Sequence, residues 1–234
     1  MIPILKDTTL CAIVRDEVMN PAGGIRRFVE SHLPFVERAV IVDTGSIDGT
    51  RDCLSDLEKV NRNLEVYDVE FKGYPDARNF SLSKVKTKYC LVLDADELLT
   101  DYVFEKLKIL MNRKKALAYN FNFLGIFPCG TTRWGNGHNP RLFNMDLEPE
   151  YDIPIGLKGE FLFRRVEQLR IVDRGVANLP LAFKTNQVIL HFVPSLSALN
   201  IKSSELYARN LPQPSKLPNF SCWKAYNPMR EEYL

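Results

Sequence analysis

The apolar run Leu91-Val92-Leu93 closes abruptly on Asp94-Ala95-Asp96-Glu97, two aspartates one residue apart with a glutamate behind them. In an extended chain Asp94 and Asp96 lie on one side of the pleat and Ala95 on the other, so both carboxylates point at one spot beyond the strand end. Oxygen ligands of this kind suit a hard divalent cation, Mg²⁺ or Mn²⁺, held partly by a substrate's phosphates. Open α/β sheets gather their ligands at the carboxyl ends of the strands. A bare Asp-x-Asp also fits solvated carboxylates or helix caps.

Three further segments have residue types suited to a nucleotide. Asp43-Thr44-Gly45-Ser46-Ile47-Asp48-Gly49-Thr50 combines glycines that let the backbone turn sharply with small hydroxyl residues, and so allows close approach to a flat ligand. As a plain turn, it would use Ser46 or Asp48 to cap the next helix. Val14-Arg15-Asp16-Glu17 sets three charges after an apolar run, at the ligand edge or in a solvated loop. Pro75-Asp76-Ala77-Arg78-Asn79 opens a helix, whose free N–H groups favour an anion. Arg78 adds a planar, permanently charged donor suited to phosphate or a base edge, although a first-turn arginine is more often solvated.

The elements that must hold these segments follow from periodicity. Thr9 to Val14 and Ala39 to Val42 read as strands, and Ile25, Phe28, Val29, His32 and Leu33 recur between them at helical spacing, with Pro34 to end the helix. The pattern repeats through a helix with Cys53, Leu54, Leu57 and Val60 on one face, a strand near Leu64 to Val69, a helix after Pro75 and the strand Tyr89 to Leu93. The fold class is therefore α/β, with a mostly parallel central sheet covered by helices on both faces. Val103, Phe104, Leu107, Leu110 and Met111 mark another helix, Ala116 to Leu124 a long strand and Gln187 to Phe192 a further one. Residues 125 to 160 mix Gly, Pro, aromatic and acidic residues without a sustained period, as a substrate-facing region of loops and short strands does. We expect one domain over 1–209, a nucleotide-binding half (1–100) and an acceptor-facing half (101–209), followed by a Pro-rich extension (210–234) that wraps the domain through Phe220, Trp223 and Tyr226.

Composition narrows the partners. The 234 residues carry 31 Lys and Arg against 29 Asp and Glu, a net charge of +2, so no bulk field draws the chain to nucleic acid or anionic lipid. The five cysteines are widely spaced and read as reduced and packed. No stretch approaches the roughly 18 apolar residues of a membrane span, and Met1 to Leu10 has no apolar signal core. We expect a soluble, cytoplasmic protein.

The four segments, in this order and spacing, make the chain resemble GT-A glycosyltransferases of the family 2 type, strongly over residues 8 to 100 and loosely over 130 to 195. A closer likeness is to glycosyltransferase domains encoded by large chlorella viruses. The resemblance implies the GT-A fold, a nucleotide-sugar donor, UDP-linked, and a glycan or glycoprotein acceptor. Donor-binding roles pass by resemblance to Arg15, Glu17, Asp43, Thr44, Gly45, Ser46, Arg78 and Asp94. Many family members have a second Asp where Thr44 stands. Asp96 would ligate Mn²⁺ or Mg²⁺, with His191 returning to that metal from a late strand and Glu97 orienting its neighbours. His32 lies on an apolar helix face, where packing explains it, whereas His138 and Trp134 are candidates for sugar contacts. The resemblance places the general base of an inverting transfer at Gly159-Glu160, so Glu160 is the choice among Asp146, Glu148, Glu150, Asp152 and Glu160; as a plain alternative, Glu160 only complements a helix dipole. A sugar nucleotidyltransferase and a non-catalytic glycan- or nucleotide-sugar-binding module are the rival readings.

Overall fold

A computed structural model of the chain describes residues 3–18, 20, 22–113, 116, 118–127, 130–135, 139–147, 149–152, 161–164 and 182–192. Its centre is β1 (Leu5–Val14), which pairs in parallel with β2 (Val36–Asp43) on one side and β4 (Tyr89–Val92) on the other, while β3 (Leu64–Asp68) extends the parallel set beyond β2. Helices α1 (Gly24–His32), α2 (Thr50–Val60) and α3 (Tyr74–Ser83) connect these strands. After the short β5 (Glu97–Leu98) and α4 (Asp101–Arg113) come β6 (Ala118–Ile126), β7 (Thr132–Trp134), β8 (Asn139–Asn144), β9 (Pro149–Asp152), β10 (Phe161–Arg164) and β11 (Ala182–Phe192). The sheet runs β3-β2-β1-β4-β8-β6-β11-β5, with β7 on β6 and a separate β9–β10 hairpin pair.

Alternation along the central strands sorts side chains into two layers. Leu10, Ala12, Ala39, Ile41 and Leu91 join Ile25, Phe28, Leu54, Phe104 and Leu107 of the helices in the larger core. Cys11, Val40, Val42, Cys90 and Val92 face the other way, beneath Leu82 of α3. This is the expected two-sided cover of a parallel sheet. Cys11 and Cys90 are buried and Cys53 half-buried, all free thiols.

One local expectation fails. Val60 is 76% exposed, because α2 ends there and its buried face is set by Thr50, Leu54 and Leu57. The aperiodic region holds β8, a strand inserted antiparallel between β4 and β6, with Leu142 and Phe143 buried. Pro140 hid it. A residue without an N–H breaks the ladder, and the register with β6 shifts between Tyr119 and Asn120, where Pro140 pairs. The expected extension over 210–234 lies outside the described residues. Among those described, no helix is long and apolar enough to cross a membrane.

His32 is the core histidine that its position on α1 predicts. It is fully buried against Phe28 and Phe104, its Nδ1 lies 2.6 Å from the Phe28 carbonyl oxygen, and its Nε2 accepts from Leu99 N–H at 3.1 Å. That pair of contacts defines the neutral tautomer with the proton on Nδ1. Burial, opposed by the bond to Phe28, lowers its pKa from 6.5 to about 4. The unfolded chain therefore takes up the proton first, and His32 contributes stability that is complete above pH 6.5 and lost as pH falls towards 4. We predict a loss of about 3 kcal/mol from this group across that window, by the usual 1.36 kcal/mol per pKa unit. Urea unfolding at a series of pH values should show a flatter profile for His32→Gln than for wild type; parallel profiles would contradict the assignment.

Candidate functional site

The carboxyl ends of β1, β2 and β3 surround a cleft of about 490 Å³ lined by Arg15, Asp43, Thr44, Gly45, Ser46, Arg51, Asp68, Val69, Glu70 and Phe71. Five of the predicted donor-binding residues thus meet in one place. Asp43 is 2% exposed, and its Oδ1 accepts from the N–H groups of Gly45 at 2.8 Å and Ser46 at 2.7 Å. Gly45 turns the chain with φ of +101°, and no atom lies within 4 Å of where a Cβ would stand, so the glycine answers a backbone need.

The hydroxyl residues of this motif do less ligand-facing work than the sequence suggests. Thr44 Oγ1 donates to the Val14 carbonyl oxygen at 3.1 Å. Asp16 N–H donates to Ser46 Oγ at 2.9 Å, Glu17 N–H to Thr50 Oγ1 at 2.7 Å, Val18 N–H to Asp48 Oδ2 at 2.9 Å, and Ile47 N–H to Asp16 Oδ1 at 2.8 Å. These bonds lace the loop after β1 to the loop after β2. Asp48, not Ser46, steadies the first turn of α2, accepting from Thr50 N–H at 2.9 Å. Glu17 does not line the cleft; its Oε2 accepts from Asn20 Nδ2 at 2.8 Å.

Further along the same edge, at the end of β4, two arginines converge on the acidic run. Arg78, 1% exposed on α3, is ion-paired with Asp94 Oδ1. Arg141, at the start of β8, lies 3.0 Å from Asp94 Oδ2 and 2.5 Å from Glu97 Oε1, above the Phe123 ring. Glu97 Oε2 accepts from Asp94 N–H at 3.1 Å. Burial works against charge on Asp94, but the two guanidiniums outweigh it and hold the carboxyl well below its ordinary range. Burial pushes Glu97 up to about 7, against the pull of Arg141 and with the repulsion of Asp94 and Asp96.

Asp96 and His191 meet at the rim, with His191 Nε2 3.5 Å from Asp96 Oδ2. Strand pairing sets this approach: β11 runs antiparallel to β5 with His191 opposite Glu97, and Phe192 N–H donates to the Asp96 carbonyl oxygen at 2.8 Å. Burial alone would lower the His191 pKa; the bond to Asp96 and its charge, joined by Glu97 and Asp94, raise it to about 9. A carboxylate oxygen and an imidazole nitrogen, both partly exposed, fit a borderline or hard divalent cation whose remaining ligands are phosphate and water oxygens. Among the described residues no group of three or more His, Cys, Asp or Glu side chains converges.

Glu160 and His138 lie outside the described residues. Trp134 stands 59% exposed on β7. Asp146 pairs with Lys88 at 2.9 Å, beside the start of β4 and hence at the opposite edge of the sheet, which removes it from the candidates for the base. Sequence reasoning missed Arg141 as a site residue, and with it Arg51, Asp68 and Phe71. The signal for Arg141 was a lone cation directly before the buried pair Leu142-Phe143.

A mixed sheet, parallel from β3 to β4 and antiparallel where β8 joins it, with helices on its faces and a cleft and acidic rim at the strand ends, is the GT-A arrangement. Residues 18–168, more than half of the chain, match the family described as Glycosyl transferase family 2, and the chain belongs to that family. It is 37% identical over 111 residues, 44% of each chain, to TuaG of Bacillus subtilis (strain 168), a protein named for teichuronic acid biosynthesis. In fold it is similar to the mannosyltransferase PcManGT of Pyrobaculum calidifontis, solved with GDP-Man and Mn²⁺, with a TM-score of 0.54, 15% identity, and coverage of 82% of this chain and 58% of that one. The chain thus spans less than half the length of TuaG.

Removing one partner of a buried ion network strands the others. Arg141→Met should cost about 3 kcal/mol, less than for a fully enclosed pair because Asp94 retains some solvent, and adding Glu97→Gln should return part of that loss. Urea unfolding at pH 7 measures both; a single variant as stable as wild type, or a double variant no better than the single, would contradict the network's role.

Proposed function

We propose that the protein transfers a sugar from a UDP-sugar to an acceptor hydroxyl with inversion, and that Asp96 and His191 hold Mn²⁺ or Mg²⁺. The domain organisation that accompanies this is a single unit over 1–209, with 210–234 as an extension. The observation that carries the proposal is the alignment, along one sheet edge, of a cleft bearing Arg15, Asp43, Thr44, Gly45 and Ser46 with the Asp94–Asp96–His191 rim.

In this reading the nucleoside enters the cleft and the diphosphate lies towards the rim. Arg15 and Arg78 supply positive charge along that path, and Asp94, fixed by Arg78 and Arg141, accepts from donor hydroxyls. Asp96 and His191 would hold a divalent cation, which when bound would supply positive charge against the leaving diphosphate. Glu160 accepts the acceptor hydroxyl's proton as that oxygen attacks the anomeric carbon from the opposite face. The acceptor is a glycan or glycoprotein; the name of the TuaG relative, which refers to teichuronic acid biosynthesis, supports a glycan.

Purified protein should release UDP from a UDP-sugar only when Mn²⁺ or Mg²⁺ is present, and Asp96→Ala should abolish release. Turnover that survives chelation would discard the metal assignment, whereas donor binding without any release would favour the non-catalytic module. Glu160→Gln should lose about 100- to 10,000-fold in kcat with the donor KM little changed. Near-normal kcat would move the base to another acid, Asp152 first.

A further inference from the structure

Helix α4 buries Val103, Phe104 and Leu107 in the larger core and turns its opposite side to solvent. On that outer side Tyr102, Lys106, Ile109 and Arg113 recur at i, i+4, i+7 and i+11, a spacing that aligns them in one stripe along the helix. Tyr102 is 66% and Ile109 42% exposed, and Arg113 is exposed in the last turn. Lys106 Nζ stands 5.0 Å from the centroid of the Tyr102 ring, so ring and cation form one unit.

The charge around the stripe keeps one sign over a long stretch. Lys108 is exposed on the same helix, Lys114 and Lys115 follow in the sequence, and no Asp or Glu occurs between Glu105 and Asp146. In a chain of net charge +2 this is a local concentration of positive charge. A helix dipole favours cations in the last turn, but it gives no reason for Tyr102 and Ile109 to face water.

Two exposed apolar side chains on a helix of 13 residues fall far short of the roughly 800 Å² per partner that a stable protein interface buries. A stripe of one sign also repels a second copy of itself. An anionic lipid surface makes neither demand: it attracts each lysine and arginine brought near it, and aromatic rings settle at the level of its headgroups. The helix also follows directly on β5, whose Glu97 belongs to the acidic turn, so Tyr102 marks the end of the stripe nearest the rim.

We propose that the outer stripe of α4 docks the protein on an anionic membrane surface, with Tyr102 and Ile109 entering the headgroup layer and Lys106, Lys108 and Arg113 meeting lipid phosphates. The proposal goes beyond the transfer reaction and does not rest on it.

The test is co-sedimentation of the full chain with vesicles of phosphatidylcholine alone and of equimolar phosphatidylcholine and phosphatidylglycerol. Wild type should bind the anionic vesicles and not the neutral ones, and about 0.5 M NaCl should release it by screening. Lys106→Gln with Arg113→Gln should weaken this binding about tenfold or more, and Tyr102→Ser with Ile109→Ser about fivefold or more. Both pairs lie on the outer side of the helix, so each variant should keep the wild-type melting temperature and the wild-type rate of UDP release without vesicles. No binding of wild type to the anionic vesicles, or binding that survives both pairs of substitutions, overturns the proposal. A concentration-dependent dimer that Tyr102→Ser with Ile109→Ser abolishes overturns it as well, by giving the face to a second copy. Wild type that binds vesicles but releases no UDP from any UDP-sugar overturns the proposed function and leaves this face standing.

Discussion

Two guanidiniums, Arg78 and Arg141, share the carboxylate of Asp94, and Arg141 also grips Glu97. Drawing these groups away from bulk water is expensive even with Asp94 partly exposed, and a set of apolar side chains of equal volume would hold the strands together at lower cost. What the charges provide is direction. Arg78 comes from α3 and Arg141 from β8, while Asp94 and Glu97 bracket the turn between β4 and β5, so the network fixes the orientation of that turn from two sides. Asp96 sits between the two pinned carboxylates. Its approach to His191 follows from this, with the β5–β11 pairing as the second constraint.

The cleft is positioned by a different device. Backbone N–H groups of Asp16, Glu17 and Val18 are consumed by Ser46, Thr50 and Asp48, so two loops that leave adjacent parallel strands are stitched into one wall. Asp16 adopts φ of +53° to make its part of the seam, a conformation that aspartate tolerates better than most residues. Residues of a single motif therefore divide between two tasks. Ser46, Asp48 and Thr50 hold the wall, and that leaves Asp43 and Gly45 to shape its inner surface.

The parallel half of the fold was legible because its forces are local. Period-2 alternation in β1 and β2 and period-3.6 recurrence in α1 put Leu10, Ile41, Ile25 and Phe28 in the core where the pattern required. Even the approach of His191 to Asp96, residues far apart in the chain, follows the family resemblance. The antiparallel half was opaque. Short strands were expected there without bounds or neighbours, and only the insertion of β8 beside β4 brings Arg141 to Asp94. No local pattern shows which strand will lie next to β4. Arg51 stayed hidden for a similar reason: a first-turn arginine looks solvated until β3 delivers Asp68 and Phe71 to the same cleft. The assignment of the base to Glu160 rests on the resemblance alone.

The proposed metal role requires the acidic turn to present Asp96 and His191 to a cation beside the cleft. Anomalous scattering from crystals soaked with Mn²⁺ and UDP measures this directly. One strong manganese peak at Asp96 and His191, with the nucleotide in the cleft by Asp43, is the expected result. Nucleotide bound with no manganese at that pair, or manganese bound away from the nucleotide, would contradict it.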